Sequence, residues 1–528
     1  MRAEVPESLI SLARKELIAA ADPAFSSEGA FRFIHALVHD AAYRGLLKRT
    51  RADLHEKFVD WLDAVSGERF AEHEEIRGYH LEQAFLALLD LGPADAHAVE
   101  LGQRGSGYLA TAGERARARG DMPAAAGLLR RAAALLPDGD GLRPHLLLHA
   151  GEALGEMGKL DEANTLLSQA ADAAGRRDDR ALTTTASVVR LMLRFMAEPE
   201  SAGTSQVVDA AGEAIEELEN LEAHAGLARA WRLMMYVHFM EGNFSAADTA
   251  ARRAVVEAEL AEDRVLEVRF LAALASCVVS SPTPVPEAIE QCNQILERSG
   301  ADRRTDAITL GALSHLEAMR GNFDRARDLY TRSRTMLTEL GFTLSASIVA
   351  LQSGPVEVLA GDLARAEDEL RSDFTALTAL GNKGYMTSVA GMLAEVLHAQ
   401  GRLGEAKSFA AVFREAAAPD DVAAQYQWHS IQAKLSAADG NLDEAEALAR
   451  EALRLISTTD QPDIQGEAFV TLAFVLQAAG KAEAVGALGE AIALFEQKGN
   501  IVSAERARAA LGSLAAASGA ASEREIVA

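Results

Sequence analysis

Apolar residues recur along this chain at intervals of three and four. After Gly440 they fall at Leu442, Ala445, Leu448, Ala449, Ala452, Leu453 and Ile456, the stripe of an amphipathic helix. No segment sustains the strict alternation of a half-buried strand, so no large sheet is expected. A second rhythm is laid over the first: Gly, any residue, Leu/Phe/Met, any two residues, Ala. It begins at Gly120, Gly158, Gly242, Gly321, Gly361, Gly401 and Gly440, and recurs one residue shorter at Gly480. The intervals are 38, 84, 79, 40, 40, 39 and 40 residues, and the two long ones each hide a unit punctuated by proline, around Pro199 and around Pro282 to Pro286. Such self-similarity marks a solenoid of roughly ten units of about 40 residues, each burying its apolar face against its neighbours.

The motif has a physical reading. The glycine suits a left-handed residue closing one helix, and the apolar residue after it plugs the corner. Asp161, Ser245, Asp324 and Asp443 can then accept from free N–H groups of the next helix. The alanines Ala163, Ala247, Ala326, Ala366, Ala406 and Ala445 allow two helices to cross closely. Each unit is expected to be a helical hairpin with two helices of roughly 17 residues, each about 25 Å long. The fold class expected is all-α: a tetratricopeptide-like right-handed superhelix of about ten hairpins over 119–515. Before it come a truncated winged-helix-like segment over 1–66 and connecting helices over 67–118; a tail over 516–528 follows.

Composition agrees with close helix packing, since 49% of residues are hydrophobic and only 5% aromatic, leaving alanine and leucine to build the core. The net charge of −26 lies beyond residue 60, because residues 1–60 hold nine Lys/Arg and nine Asp/Glu. An acidic superhelix repels phosphate backbones, so nucleic acid is not an expected partner. Cys277 and Cys292 are too few for a disulfide framework or a zinc site, and they read as buried thiols in a reducing compartment. Neither a charged-then-apolar leader nor a run of 18 apolar residues occurs, so the expectation is a cytoplasmic protein with no membrane partner.

Motifs that carry chemistry fail on particular residues. Gly158-Lys159 and Gly480-Lys481 lack the first glycine of a phosphate loop, where Ala153 and Val475 stand, and also its hydroxyl, where Leu160 and Ala482 stand. Gly102, Gly105 and Gly107 have no strand before them. Asp439, Asn441 and Asp443 begin like a calcium loop, but Glu444 replaces its glycine and Arg450 its closing glutamate. His35 and His39 have metallopeptidase spacing with Ala36 in place of the glutamate. No catalytic residue, metal ligand or cofactor is expected, and the chain reads as non-enzymatic.

Residues 1–66 follow a different pattern. PESLISLARKELI reads as a helix, LIAAA and AFRFIH as two short strands, and ALVHDAAYRGLL as a further helix: the tail of a winged-helix module whose opening helices would precede Met1. FRFIHALVHDAAYRGLL, RADLHEKFVDWL, EIRGYHLEQAF and ARARGDMPAAAGLLRRAAALLP together resemble the region after the ATPase core in actinobacterial signalling proteins of the STAND class. These are often fused to a class III adenylate or guanylate cyclase or to a LuxR-type DNA-binding end, and their C-terminal arm is similar to that of the maltose regulator of enteric bacteria. The resemblance implies a sensor arm that restrains a nucleotide-driven switch and releases it on ligand binding, with His35 at the position of a histidine that approaches bound nucleotide. Ile34 and His39 stand where that pattern has arginines.

Two aromatic clusters on first helices are the candidate binding residues for a protein partner or small-molecule effector on the concave face: Trp231, Arg232, Met235, Tyr236 and Phe239, and Tyr426, Trp428 and Gln432. The four-residue spacing of Trp231, Met235 and Phe239 equally suits a core stripe. A STAND ATPase or cyclase is a candidate partner. Two alternatives stay open: the C-terminal fragment of a cyclase-linked, ATP-binding enzyme, and a LuxR-type regulator without its DNA-binding end. For the second, GSLAAASGAASEREIVA offers no basic recognition helix. The basic group Arg44, Lys48, Arg49, Arg51 and Lys57 is expected to form a solvated face or docking surface.

Overall fold

A computed structural model describes residues 5–21, 30–65, 73–197, 204–300, 302–416 and 422–527. The chain divides into two compact units, Met1–Ala197 and Glu198–Ala528.

The first unit begins with α1 (Val5–Arg14), β1 (Ile18–Ala21), β2 (Ala30–Phe33) and α2 (Ala36–Gly45). The strands pair antiparallel, with Ile18 opposite Phe33 and Ala21 opposite Ala30. There follow α3 (Lys48–Val65), α4 (Glu74–Leu89), α5 (Ala96–Ala118), α6 (Met122–Ala134), α7 (Leu142–Glu156), α8 (Leu160–Gly175) and α9 (Arg180–Ala197). A hydrogen-bonded line ties α2 to α3 and α4: Tyr43 Oη lies 2.8 Å from His55 Nε2, and His55 Nδ1 lies 2.7 Å from His80 Nδ1. The glycines of α5 sit mid-helix as packing surfaces. A Cβ on Gly102 would come within 2.6 Å of the Leu135 carbonyl oxygen, and one on Gly105 within 3.1 Å of both Leu81 and Leu135.

The second unit contains α10 (Thr204–Asn220), α11 (His224–Met240), α12 (Phe244–Leu260), α13 (Arg264–Ser280), α14 (Val285–Arg298), α15 (Arg303–Met319) and α16 (Phe323–Glu339). It continues with α17 (Thr343–Ala346), α18 (Ala350–Ala360), α19 (Leu363–Ala379), α20 (Lys383–Ala399), α21 (Leu403–Ala416) and α22 (Val422–Ala438). It closes with α23 (Leu442–Ile456), α24 (Pro462–Ala478), α25 (Ala484–Lys498) and α26 (Ile501–Val527). The described helices form antiparallel hairpins stacked side by side, a tetratricopeptide-like all-α architecture.

All eight motif glycines lie between helices with φ of 67–85°, the left-handed region in which a Cβ is strained. At Gly440 the backbone closes the helix in a Schellman arrangement: Gly440 N–H donates to Ala437 (3.1 Å) and Asn441 N–H to Ser436 (2.9 Å). The motif alanines Ala125, Ala163, Ala247, Ala326, Ala366, Ala406 and Ala445 are all 0% exposed, which is how such long helices come together around so few large side chains. The proline-marked unit around Pro282 is the turn between α13 and α14; that around Pro199 lies outside the described residues.

The capping position differs from the sequence expectation. The N-cap is the residue directly after the glycine: Asp121, Asn243 and Asp362 accept from the N–H groups of Ala124, Ala246 and Arg365. Asp161, Ser245, Asp324 and Asp443 sit two residues later, already helical, where the carboxylates face the positive helix end but do not cap it. Thr343–Ala360 is apolar and long enough to cross a membrane by composition. It comprises α17 and α18, and Val349, Ala350, Val356 and Leu359 from it are core residues.

Candidate functional site on the inner helices

The first helix of each hairpin carries a register that is invisible in the apolar stripe. Six residues before the motif glycines stand Glu114, Glu152, Tyr236, His315, Pro355, Glu395, Lys434 and Phe474, none of them among the alanines and leucines that build the core. In the second unit several of these face one another. Glu395 on α20 accepts from Lys434 Nζ on α22 at 2.5 Å, and His398, one turn after Glu395, meets the Phe474 ring of α24 edge-on at 6.0 Å.

Tyr426, Asp463 and Glu467 complete the group. Burial pushes the Tyr426 phenol well above its ordinary value, and Glu467 and Glu395 push it further. Glu467 is exposed to water at its tip, with protein crowded around the rest of the side chain. That desolvation, with Asp463 and Glu395 adding like charge, pushes its carboxyl up to about 7, against the opposing pull of Lys434 and Arg506. Asp463, which accepts from Asn500 at 2.7 Å, is also raised by burial. His398 is lowered, by burial first and then by Lys434. Carboxylates, a phenol, an imidazole and an exposed phenyl ring thus converge from three successive first helices.

The contrast with Glu357 separates this group from structural charge. Glu357 is 0% exposed and receives two nitrogens of Arg327, the nearest at 2.6 Å, together with Tyr330 Oη at 2.9 Å. Its lone pairs are filled from inside the fold, as a buried carboxylate requires. Glu467 sits instead beside two further carboxylates, an arrangement that costs stability and that an incoming cation or hydrogen-bond donor relieves.

The sequence-predicted residues divide. Tyr426 belongs to the converging group. Tyr236 is half-buried near Tyr385 of α20, and burial followed by that neighbouring phenol raises its pKa, opposed by Arg232. Met235 is 7% exposed and belongs to the buried core shared by α11, α12 and α13. Trp231 and Phe239 pack against that same core, Trp231 under the Arg253 guanidinium and Phe239 edge-on to Phe244 at 4.9 Å. The Arg232 guanidinium lies over Phe270. Trp428 packs on the core between α20, α21 and α22, and Gln432 is half-buried. Residues that sequence reasoning missed are Tyr385, Glu395, His398, Lys434, Asp463, Glu467 and Phe474; counting back six from each glycine finds three of them.

Other candidate chemistry resolves into structure. Cys277 and Cys292 are buried thiols, both pushed up to about 12 by desolvation. Asp439 is paired with Lys407. His35 stands at the N-terminus of α2 without a capping hydrogen bond, and His39 contacts Asp40. Among the described residues no group of three or more His, Cys, Asp and Glu is placed to hold a metal ion.

No family model and no curated protein matches the sequence. Solved structures show similarity at low identity. One is a Rap protein complexed with competence and sporulation factor, at 13% identity and TM-score 0.47, over 71% of this chain and 98% of that one. Another is the APC/C heterotetramer Cut9–Hcn1, at 14% and 0.45, over 86% and 85%. A third is a STAND signal-transduction ATPase with a tetratricopeptide repeat sensor from Pyrococcus horikoshii, at 13% and 0.35, over 90% and 68%.

Proposed function

We propose that this protein acts by binding: a non-enzymatic interaction and sensing module that captures a protein segment or small effector on the inner helices of its second unit. The observation that carries this reading is the convergence of Glu395, Tyr426, Asp463 and Glu467, with Phe474 exposed beside them, at positions the hairpin packing does not need. In the same reading residues 1–66 are the tail of a winged-helix module, and the chain is the regulatory arm of a STAND-type signalling ATPase or cyclase. The motif FRFIHALVHDAAYRGLL and its successors support that arm assignment.

The test is a double substitution, Tyr426→Ala with Glu467→Lys, in protein isolated with its native partners. Loss of the co-purifying species, with helix content by circular dichroism unchanged, is the expected result. Unchanged recovery from the folded variant would refute the inner-wall assignment. An ATPase or cyclase among the species lost would support the finer reading.

A further inference from the structure

The second unit winds back on itself. The loop between α23 and α24 reaches the turn between α11 and α12, 216 residues earlier: Asp460 accepts from the N–H groups of Phe244 (2.6 Å) and Ser245 (2.8 Å), and Asp460 N–H donates to the Gly242 carbonyl. Lys498, at the end of α25, is 0% exposed and donates to three carbonyls at the end of α13: Ser281 at 2.6 Å, Thr283 at 2.9 Å and Val278 at 3.3 Å. Arg506 on α26 donates to Val358 and Leu359 carbonyls at the end of α18, at 3.0 and 2.7 Å.

Each of these three charges meets a helix end of opposite polarity. The Asp460 carboxylate sits at the positive N-terminus of α12, and the Lys498 and Arg506 cations sit at the negative C-termini of α13 and α18. Close packing accompanies them: Val502 packs against the core of α14 to α18, a Cβ on Gly499 would lie 3.6 Å from Pro286, and one on Gly242 would lie 2.5 Å from Thr459. Adjacent hairpins, by contrast, are joined through continuous alanine and leucine cores. The closing seam differs in its short, directional, charge-based contacts between segments already held in place by their own neighbours.

We propose that this seam is a latch: the Asp460, Lys498 and Arg506 contacts hold the second unit wound closed, and their release opens its inner wall to a partner. The proposal rests on the inner wall being the binding face, and it deepens that reading by naming how access is controlled. Arg506 and Lys498 also neighbour Glu467 and Asp463, so an occupant that engages those carboxylates competes with two of the latch cations. Capture and opening are then linked, because any ligand that prefers the open form shifts the population toward it.

The test measures a distance across the seam in the full-length protein, without a partner. Spin labels on cysteines introduced by Val256→Cys and Val485→Cys, both at exposed sites, report the separation of α12 from α25 by pulsed electron resonance. The native thiols are buried and high in pKa, and do not take label. A narrow distance distribution that gains a longer population in Asp460→Asn, in Arg506→Gln, or in about 1 M salt, where the Debye length falls to about 3 Å, is the expected result. One narrow distance in both variants and at both salt concentrations, with helix content intact, would overturn the latch. Failure of partner capture with the distance change present would leave the latch standing and remove only the binding reading.

Discussion

Lys498→Met isolates the most deeply buried of the seam contacts. Methionine keeps most of the apolar stem and removes only the ammonium. The Val278 carbonyl retains a second donor, Ser281 Oγ at 3.0 Å, so two carbonyls, Ser281 and Thr283, lose the Lys498 donor. At about 1–3 kcal/mol for each of the two buried acceptors left unsatisfied, the loss comes to about 2–6 kcal/mol. Burial pulls Lys498 down to about 8, with Asp463 and Cys292 opposing, so at pH 7 the side chain is still the three-donor ammonium that three carbonyls match. Urea unfolding of wild type and variant, followed by circular dichroism at 222 nm (the far-ultraviolet helix band, about the standard choice for an all-α chain), reads the difference as a shift in midpoint. A change below about 1 kcal/mol would mean that water replaces the ammonium and that the site is not dry.

Other expectations follow from the same geometry. Gly440→Ala meets open space and carries only the left-handed backbone cost, about 1–2 kcal/mol; Gly242→Ala has a similar φ of 72° but sets a Cβ 2.5 Å from Thr459. Gly242→Ala should therefore be the more destabilising in urea, and equal costs would argue that Thr459 moves away freely. Glu467→Gln should change how stability depends on pH. With its carboxyl raised to about 7 against an ordinary 4.5, the folded protein binds the extra proton between those values, so wild-type stability falls as pH rises through that window. The glutamine variant should match wild type near pH 4.5 and exceed its melting temperature at pH 8. A variant less stable than wild type at pH 8 would show that the carboxylate is satisfied from within.

Much of the fold was legible because the hairpin turn has a strict local requirement. A left-handed residue followed by a small one at the helix crossing leaves a mark at Gly321-Ala326 or Gly440-Ala445 that survives any change elsewhere. The cap was misplaced because Asp and Ser suit both the capping position and the first turn, and only the backbone shows that Asn243 rather than Ser245 stands outside the helix. Trp231, Met235 and Phe239 share a spacing that suits a core stripe as well as a binding face, and all three pack in or against the core of α11 to α13. Glu467 and Lys498 could not be found by pattern. Glu467 takes its meaning from α20 and α22 packing beside α24, and Lys498 from the end of α25 returning to the end of α13 over 215 to 220 residues.

The central claim is that the inner helices of the second unit hold a partner. The direct measurement places a photo-activated cross-linking amino acid, one at a time, at Tyr385 and Phe474 on the inner helices, both about two-fifths exposed, and at Val256 on α12 as an equally exposed control. Irradiation in native cells should yield the same discrete cross-linked species from positions 385 and 474 and none from 256. Cross-linking at 256 alone, or equally at all three positions, would contradict it.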